Sequence, residues 1–177
     1  NAPDIVYVIK HDERNEELRY SLRSLANVPH RRVWMAGYRP SWVSSTVGHI
    51  PVPRMGSKFA SSTANLRAAC LHAGVTEEFY FFHDDNFVMR PMPDGIPVFH
   101  RGRVADVEAS YLRRGIRSRY FRGLRETRDL ILREGISDDP ISYELHTPLP
   151  VRKGPMLAAL ELGRGLDTLH KRTLYGN

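Results

Sequence analysis

The 177-residue sequence holds a single cysteine, Cys70. No internal disulfide can form, and zinc sites built on several cysteines are excluded. A reducing, cytoplasmic setting is therefore expected, the host cytoplasm if the chain is phage-encoded. Cys70 sits in an Ala-rich stretch and reads as a small core residue. No apolar run approaches the roughly 20 residues a membrane span requires, and the start lacks a charged-then-apolar signal pattern. No internal repeat and no low-complexity segment occurs. Residue 1 is Asn, so the sequence reads as trimmed.

What is present suits a folded domain. Hydrophobic residues make up 41% and charged residues 26%, too apolar for a disordered chain. The length suits one domain, which buries about two thirds of its unfolded surface. The formal charge is +6, and eight arginines fall between Tyr111 and Glu134 against Glu126, Asp129 and Glu134. Such a segment favours anionic partners, with a solvated Arg-rich helix face as the competing reading.

Asp4-Ile-Val-Tyr-Val-Ile9 is a β-branched run without alternation, which predicts a strand covered on both faces. Asn15 followed by Glu16 and Glu17 predicts a helix start, and Leu18, Leu22 and Leu25 continue at helical spacing to about Asn27. Residues 31–36 predict a second strand stopped by Gly37, residues 39–42 a turn, and residues 50–53 an extended segment. Ser61 or Ser62 is expected to cap a helix running to about Ala73, and residues 78–82 predict a strand. This alternation implies βαβ units, a parallel sheet, and a ligand edge beyond the carboxyl ends of the strands. Lys10, Gly37 and residues 84–86 would lie on that edge. Further on, Val98-Phe-His100 predicts a short strand, Tyr120 to Leu132 an amphipathic helix, and 155–170 a last helix. One domain is expected, with a nucleotide-binding half (1–100) and a helical acceptor half (101–177).

His83-Asp84-Asp85-Asn86 follows Phe79-Tyr-Phe-Phe82 directly. Adjacent carboxylates repel unless a cation neutralises them, and carboxylate, phosphate and water oxygens are the shell Mg²⁺ or Mn²⁺ prefers. The competing reading is a turn in which Asp and Asn cap backbone groups. Arg19 and Arg23 are one helical turn apart and suit a pyrophosphate clamp or an exposed pair answering Glu16 and Glu17. Lys58, Ser61, Ser62 and Asn65 form a polar stretch feeding a helix N-terminus, an anion site or ordinary capping. Glu144-Leu-His146-Thr-Pro148 offers an acid–base or metal-binding pair, sharing one side if the stretch is extended.

Taken together these blocks resemble the Stealth-type sugar-phosphate transferases and the related phage-encoded glycosyltransferases, whose donor-binding cores are similar to the GT-A fold. The first block is Asp4-Ile-Val-Tyr-Val8. The second runs from Asn15-Glu-Glu-Leu-Arg-Tyr-Ser-Leu-Arg-Ser-Leu25 through Arg32-Val-Trp-Met-Ala-Gly37, Pro40-Ser-Trp42, Lys58-Phe-Ala-Ser-Ser62 and Asn65-Leu66 to Asp84-Asp-Asn86. The third is Glu144-Leu-His146-Thr-Pro148 with Lys153. His83 stands where the family usually has Asn, Ile9-Lys10-His11 where it has Trp-Val-Asn, and a late Ser-Asn-Asp element is absent.

The resemblance implies a GT-A-like Rossmann-type sheet with an Arg-rich helical appendage. It implies a DxD-like role for Asp84 and Asp85, holding Mn²⁺ or Mg²⁺ against a UDP- or GDP-sugar. Donor contacts are implied at Val8, Lys10, Arg19, Lys58, Ser62, Asn65 and Asp84. Glu144 and His146 stand as catalytic candidates, with His146 also a metal-side candidate. The expected activity is glycosyl transfer to an unknown glycan, protein or modified-DNA acceptor. Sugar-1-phosphate transfer from the same donor is the alternative, and a nucleic-acid-binding module using the Arg-rich segment is a second one.

Overall fold

The computed structural model describes residues 2–177, and the chain divides into two compact units. The first comprises residues 2–98 and His146–Gly154; the second comprises Phe99–Leu145 and Pro155–Asn177. The first unit takes in a short return segment, His146–Gly154, after the chain leaves it at Val98.

The first unit is an α/β sheet of five strands in the order β3-β2-β1-β4-β5. The strands are β1 (Asp4–Ile9), β2 (Val33–Gly37), β3 (Gly48–Pro51), β4 (Glu78–Phe82) and β5 (Leu149–Arg152). The first four are mutually parallel, and β5 pairs antiparallel with β4. Every residue of β1 is buried, as its apolar run predicts for a central strand. Ile5, Tyr7 and Ile9 point to the face that packs with Leu18, Leu25, Met35 and Phe82. Helix α1 (Glu16–Ser24) is capped by Asn15, whose Oδ1 accepts from the Leu18 N–H at 3.1 Å, and a 3₁₀ turn continues it to Asn27.

Helix α2 (Lys58–Leu71) packs on β1 and β2. Its cap is Ser57, which accepts from the Ala60 N–H, and not the expected Ser61 or Ser62. Ser61 instead lies inside the first turns, where its hydroxyl accepts from the Met55 N–H at 3.0 Å. Lys153 secures the far end of α2: its ammonium donates to the carbonyls of His72 and Val75 at 2.8 and 2.6 Å.

The second unit is helical. Helices α3 (Val104–Arg113) and α4 (Arg119–Arg133) form a hairpin around Val104, Val107, Phe121 and Leu124. Leu130 and Ile131 of α4 pack with Ala159 of α5 (Lys153–Leu162) and Leu174 of α6 (Lys171–Gly176). The expected helix over 155–170 ends at Leu162; residues 163–170 form turns, with Leu169 folded back over Gly163, 2.6 Å from where a Cβ would stand, and α6 begins only at Lys171. The expected strand at Val98–His100 is irregular, with Val98 and Phe99 exposed. Pairing occurs slightly later, as an antiparallel bridge between Arg103 and Ile141. Among the described residues no helix is long and apolar enough to cross a membrane.

Candidate functional site

The chain winds outward from β1 to β2 and β3, then returns through α2 to β4 on the other side of β1. The order reverses between β1 and β4, and their carboxyl ends border the crevice where ligands of open α/β sheets bind. The register pairs Tyr7 with Phe82, so the residues after Phe82 emerge beside the end of β1. Those residues are His83, Asp84, Asp85 and Asn86.

A turn holds the pair in place. Asn86 folds back so that its Oδ1 accepts from the His83 N–H at 2.9 Å and its own N–H donates to the His83 carbonyl at 3.2 Å. The Asn86 amide also donates to the His146 carbonyl at 3.3 Å, and Ser21 donates to the Asn86 carbonyl. Asp84 Oδ2 accepts from Asn15 Nδ2 at 3.0 Å. Asp85 Oδ1 shares a 2.6 Å hydrogen bond with His146 Nε2, and the His146 ring stacks on His83 with centroids 5.3 Å apart. Below them, burial raises the Tyr7 hydroxyl pKa far above its ordinary value, with the Ser21 hydrogen bond opposing and Asp84 adding to the rise. Tyr7 stays protonated.

The turn reading of Asp84 to Asn86 therefore describes the backbone correctly, yet Asn86 makes the turn and the two aspartates face Asn15 and His146. Each aspartate commits one oxygen. Two adjacent, half-buried carboxylates with an oxygen each to spare are a hard-oxygen donor set that fits Mg²⁺ or Mn²⁺. Among the described residues no three His, Cys, Asp or Glu side chains are gathered as a ready ligand group. His146 Nε2 is turned to Asp85, which makes His146 the partner that orients a carboxylate in this arrangement.

The other candidates scatter around the same unit or leave it. Val8 is buried inside β1, opposite Ala36, so its side chain belongs to the sheet interior. Lys10 is exposed just beyond β1. Arg19 lays its guanidinium 3.8 Å from the centre of the Trp42 ring and pairs loosely with Glu16. Arg23 lies over Tyr20 instead, so the two arginines diverge rather than clamp one group. Lys58 opens α2 with its ammonium over Phe59, and Ser62 is half-buried one turn on. Asn65 is buried, with its amide donating to the Ile9 carbonyl at 3.4 Å and packed over Gly37.

Glu144 belongs to the second unit. The condition for Glu144 and His146 to share a side, an extended stretch, is not met, because the Leu145 N–H bonds the Tyr143 carbonyl at 2.8 Å in a tight turn centred on Glu144. Its carboxylate accepts from the Thr173 N–H at 3.1 Å. Desolvation lowers the neighbouring Lys171 ammonium to about 8, with Glu144 pulling the other way.

Sequence reasoning missed the loop clasp beside Trp42. Glu13 accepts from the Ser41 N–H, the Ser41 hydroxyl and the Tyr38 hydroxyl, and its backbone carbonyl accepts from Trp42 Nε1 at 2.8 Å. Bonds from Ser41 and then Tyr38 hold the Glu13 carboxyl below its ordinary pKa. His11 packs its ring 4.1 Å from Tyr38. The loop after β2 and helix α1 thereby present a half-buried wall of Tyr38, Trp42 and Arg19. Only the Pro40-Ser-Trp42 block signalled it. By comparison with known proteins, the chain matches no family model and no curated protein.

Proposed function

We propose that this chain is a metal-dependent glycosyltransferase with a GT-A-like donor site, taking its sugar from a UDP- or GDP-sugar. The observation that carries the reading is the placement of Asp84 and Asp85 at the strand-order reversal, fixed by Asn15 and His146. Two adjacent, partly buried carboxylates at the ligand edge of a parallel sheet suit a cation, which relieves their mutual repulsion. Asp84 and Asp85 would hold Mn²⁺ or Mg²⁺, which neutralises charge on the departing nucleoside diphosphate.

The protein's own groups then have separate tasks. Asn15 and His146 fix the rotamers of the two aspartates, so the donor meets a preformed site. Trp42, backed by Arg19, offers a flat face against which a base can stack, and the Arg19 guanidinium is a candidate phosphate contact. In transfer, the bond between the anomeric carbon and the diphosphate oxygen breaks while the acceptor oxygen bonds that carbon. The acceptor proton needs a base; two imidazoles, His83 and His146, stand at the carboxylate pair, and His146 is the candidate.

A thermal-shift series with UDP, GDP and their sugar conjugates, with and without Mn²⁺, tests the reading. A donor at 100 times its Kd stabilises the native state by about 2.7 kcal/mol, which raises the midpoint measurably. The shift should require Mn²⁺ and should vanish in Asp85→Asn. No shift with any conjugate, or one indifferent to Asp85, overturns the proposal. The mass of the product then separates transfer of the sugar from transfer of the sugar phosphate.

A further inference from the structure

We infer that the α3–α4 hairpin is a binding surface for the phosphodiester backbone of a nucleic acid. This inference is independent of the donor-site reading. From Ala109 to Arg125 the chain contains no acidic residue and six arginines, at 113, 114, 117, 119, 122 and 125, all exposed. No lysine occurs between Lys58 and Lys153. The positive charge is thus delivered entirely as planar guanidinium groups, which grip phosphate oxygens in pairs.

The hairpin holds these groups on a rigid frame. Tyr111 and Phe121 meet edge to face with centroids 5.4 Å apart, and Ile116 packs beside them. The connecting turn closes through the Arg114 N–H on the Ser110 carbonyl, the Gly115 N–H on Leu112 and the Ile116 N–H on Tyr111. Gly115, at φ 67°, supplies the left-handed residue this turn needs. Ser118 then caps α4, placing the positive end of a 15-residue helix beside the arginines. Arg117, Arg119, Arg122 and Arg125 line an open groove there, with Phe121 on its wall and Glu126 and Asp129 farther along the helix.

The internal acids compensate this charge only in part. Asp167 takes Arg119 in a bidentate pair at 2.6 Å, and Glu108 takes Arg125 at 3.0 Å. Arg122 reaches Glu126 and Asp167 only at 3.8 and 4.0 Å. Arg113, Arg114 and Arg117 make no ion pair among the described residues. About four positive charges therefore face solvent together, enough to neutralise about four phosphates.

A polynucleotide fits this surface better than a lipid headgroup layer does. Helices that lie on membranes present an apolar face to the acyl boundary. The apolar face of α4 (Phe121, Leu124, Leu130 and Ile131) is buried, and Leu112 is the one large apolar side chain exposed in the hairpin's basic stretch.

The test is fluorescence anisotropy of a labelled 20-base-pair duplex of arbitrary sequence, as DNA and as RNA, titrated with the full chain from 50 to 200 mM salt. With about four phosphates neutralised, affinity should fall roughly a hundredfold across that range. The variant R113Q/R114Q/R117Q should weaken binding at least tenfold at 50 mM salt and flatten the salt dependence by about three charges. Arg152→Gln, on β5, should leave both unchanged. Circular dichroism shows whether the triple variant is folded, and Arg122→Gln, at an exposed position of α4, gives a second, smaller loss. No saturable binding to either duplex at 50 mM salt overturns the inference, as does a folded triple variant that binds like the parent. Binding to phosphatidylserine vesicles in place of both duplexes overturns it in favour of a membrane. The Mn²⁺-dependent donor shift, measured on the same variant, should be unaffected, so failure here and failure of the donor-site proposal are distinguishable.

Discussion

Replacing Asp4 should destabilise the first unit strongly, and the structure sets the size. Asp4 is fully buried at the start of β1. Its Oδ1 accepts from Arg31 Nε at 2.8 Å; its Oδ2 accepts from Arg31 Nη2 at 2.8 Å, Trp34 Nε1 at 2.9 Å and the Thr76 N–H at 3.1 Å. Asp4→Ala leaves the buried indole N–H and the Thr76 N–H without an acceptor, at about 1–3 kcal/mol each. Arg31 is half exposed and can rehydrate, so the ion pair adds only about 0–1 kcal/mol. The expected loss is about 4 kcal/mol for Asp4→Ala and about 2 kcal/mol for Asp4→Asn, whose amide still accepts on one side but turns donors toward donors on the other. Arg31→Met should also destabilise, because it leaves the buried Asp4 Oδ1 without its donor.

Burial works to raise the Asp4 pKa, but the hydrogen bonds from Arg31, Trp34 and Thr76 outweigh it and the carboxyl ends below its ordinary value. A depressed folded pKa contributes stability above the unfolded value near 3.9, and that contribution drains away as pH falls below it. Urea unfolding followed by Trp fluorescence at pH 7 and at pH 3 measures both effects. A loss under about 1 kcal/mol for Asp4→Ala at pH 7, or a mutational difference that fails to shrink at pH 3, refutes the reasoning.

Three further outcomes follow from single sites. Gly37→Ala should destabilise by about 2 kcal/mol or more, since φ is 102° and a Cβ would lie 2.4 Å from Asn65 Nδ2 and 2.5 Å from the Ile9 carbonyl; a neutral urea midpoint would contradict this. Burial pushes the Cys70 thiol up to about 12, with Lys153 opposing, so the native chain should react with a disulfide reagent at pH 8 far more slowly than the unfolded chain. Because that folded pKa is raised, its contribution is complete below about 8.5 and stability should decline as pH climbs from there toward 12. His146→Gln, whose amide can still hydrogen-bond Asp85, should lower transfer at least a hundredfold while leaving the Mn²⁺-dependent donor shift in place; loss of the shift as well would mean that His146 acts by holding Asp85 and not as the base.

The sheet was legible because its signals are local. β1 and β4 are unbroken apolar runs, the Asn15 cap precedes two acids, and Gly37 sits where a strand must end. Errors arose where distant contacts decide. Two serines looked like caps for α2, but the preceding loop folds over Ser61 and frees Ser57 for that role. Nothing in a composition window says that Leu169 will lie across Gly163 or that the helix will stop at Leu162. Arg19 and Arg23 share helical spacing, yet each is drawn to a different ring, Trp42 and Tyr20, one of them 23 residues away in sequence. Glu144 and His146 are two residues apart, yet Glu144 sits at the centre of a tight turn in the second unit and His146 belongs to the first. The spacing rules assume a regular backbone, which that segment lacks.

Asn15 shows how the sheet and the aspartate pair depend on each other. A helix cap normally uses its side chain locally, and Asn15 does so through Oδ1 on the Leu18 N–H. Its Nδ2 then has no local partner, and the parallel pairing of β1 with β4 brings Asp84 within 3.0 Å of it. Serine, threonine or aspartate would cap α1 as well, but none has a second, donating atom to give to a carboxylate 69 residues away. The residue also sits at φ 29°, the one non-glycine residue at positive φ among those described, a conformation asparagine tolerates better than most residues. Asp12 Oδ1 helps hold it there by accepting from the Arg14 and Asn15 N–H groups. The choice of asparagine at this cap is thus explained by Asp84, and the orientation of Asp84 is fixed by the start of α1. Movement of that helix start would be felt directly at the carboxylate pair.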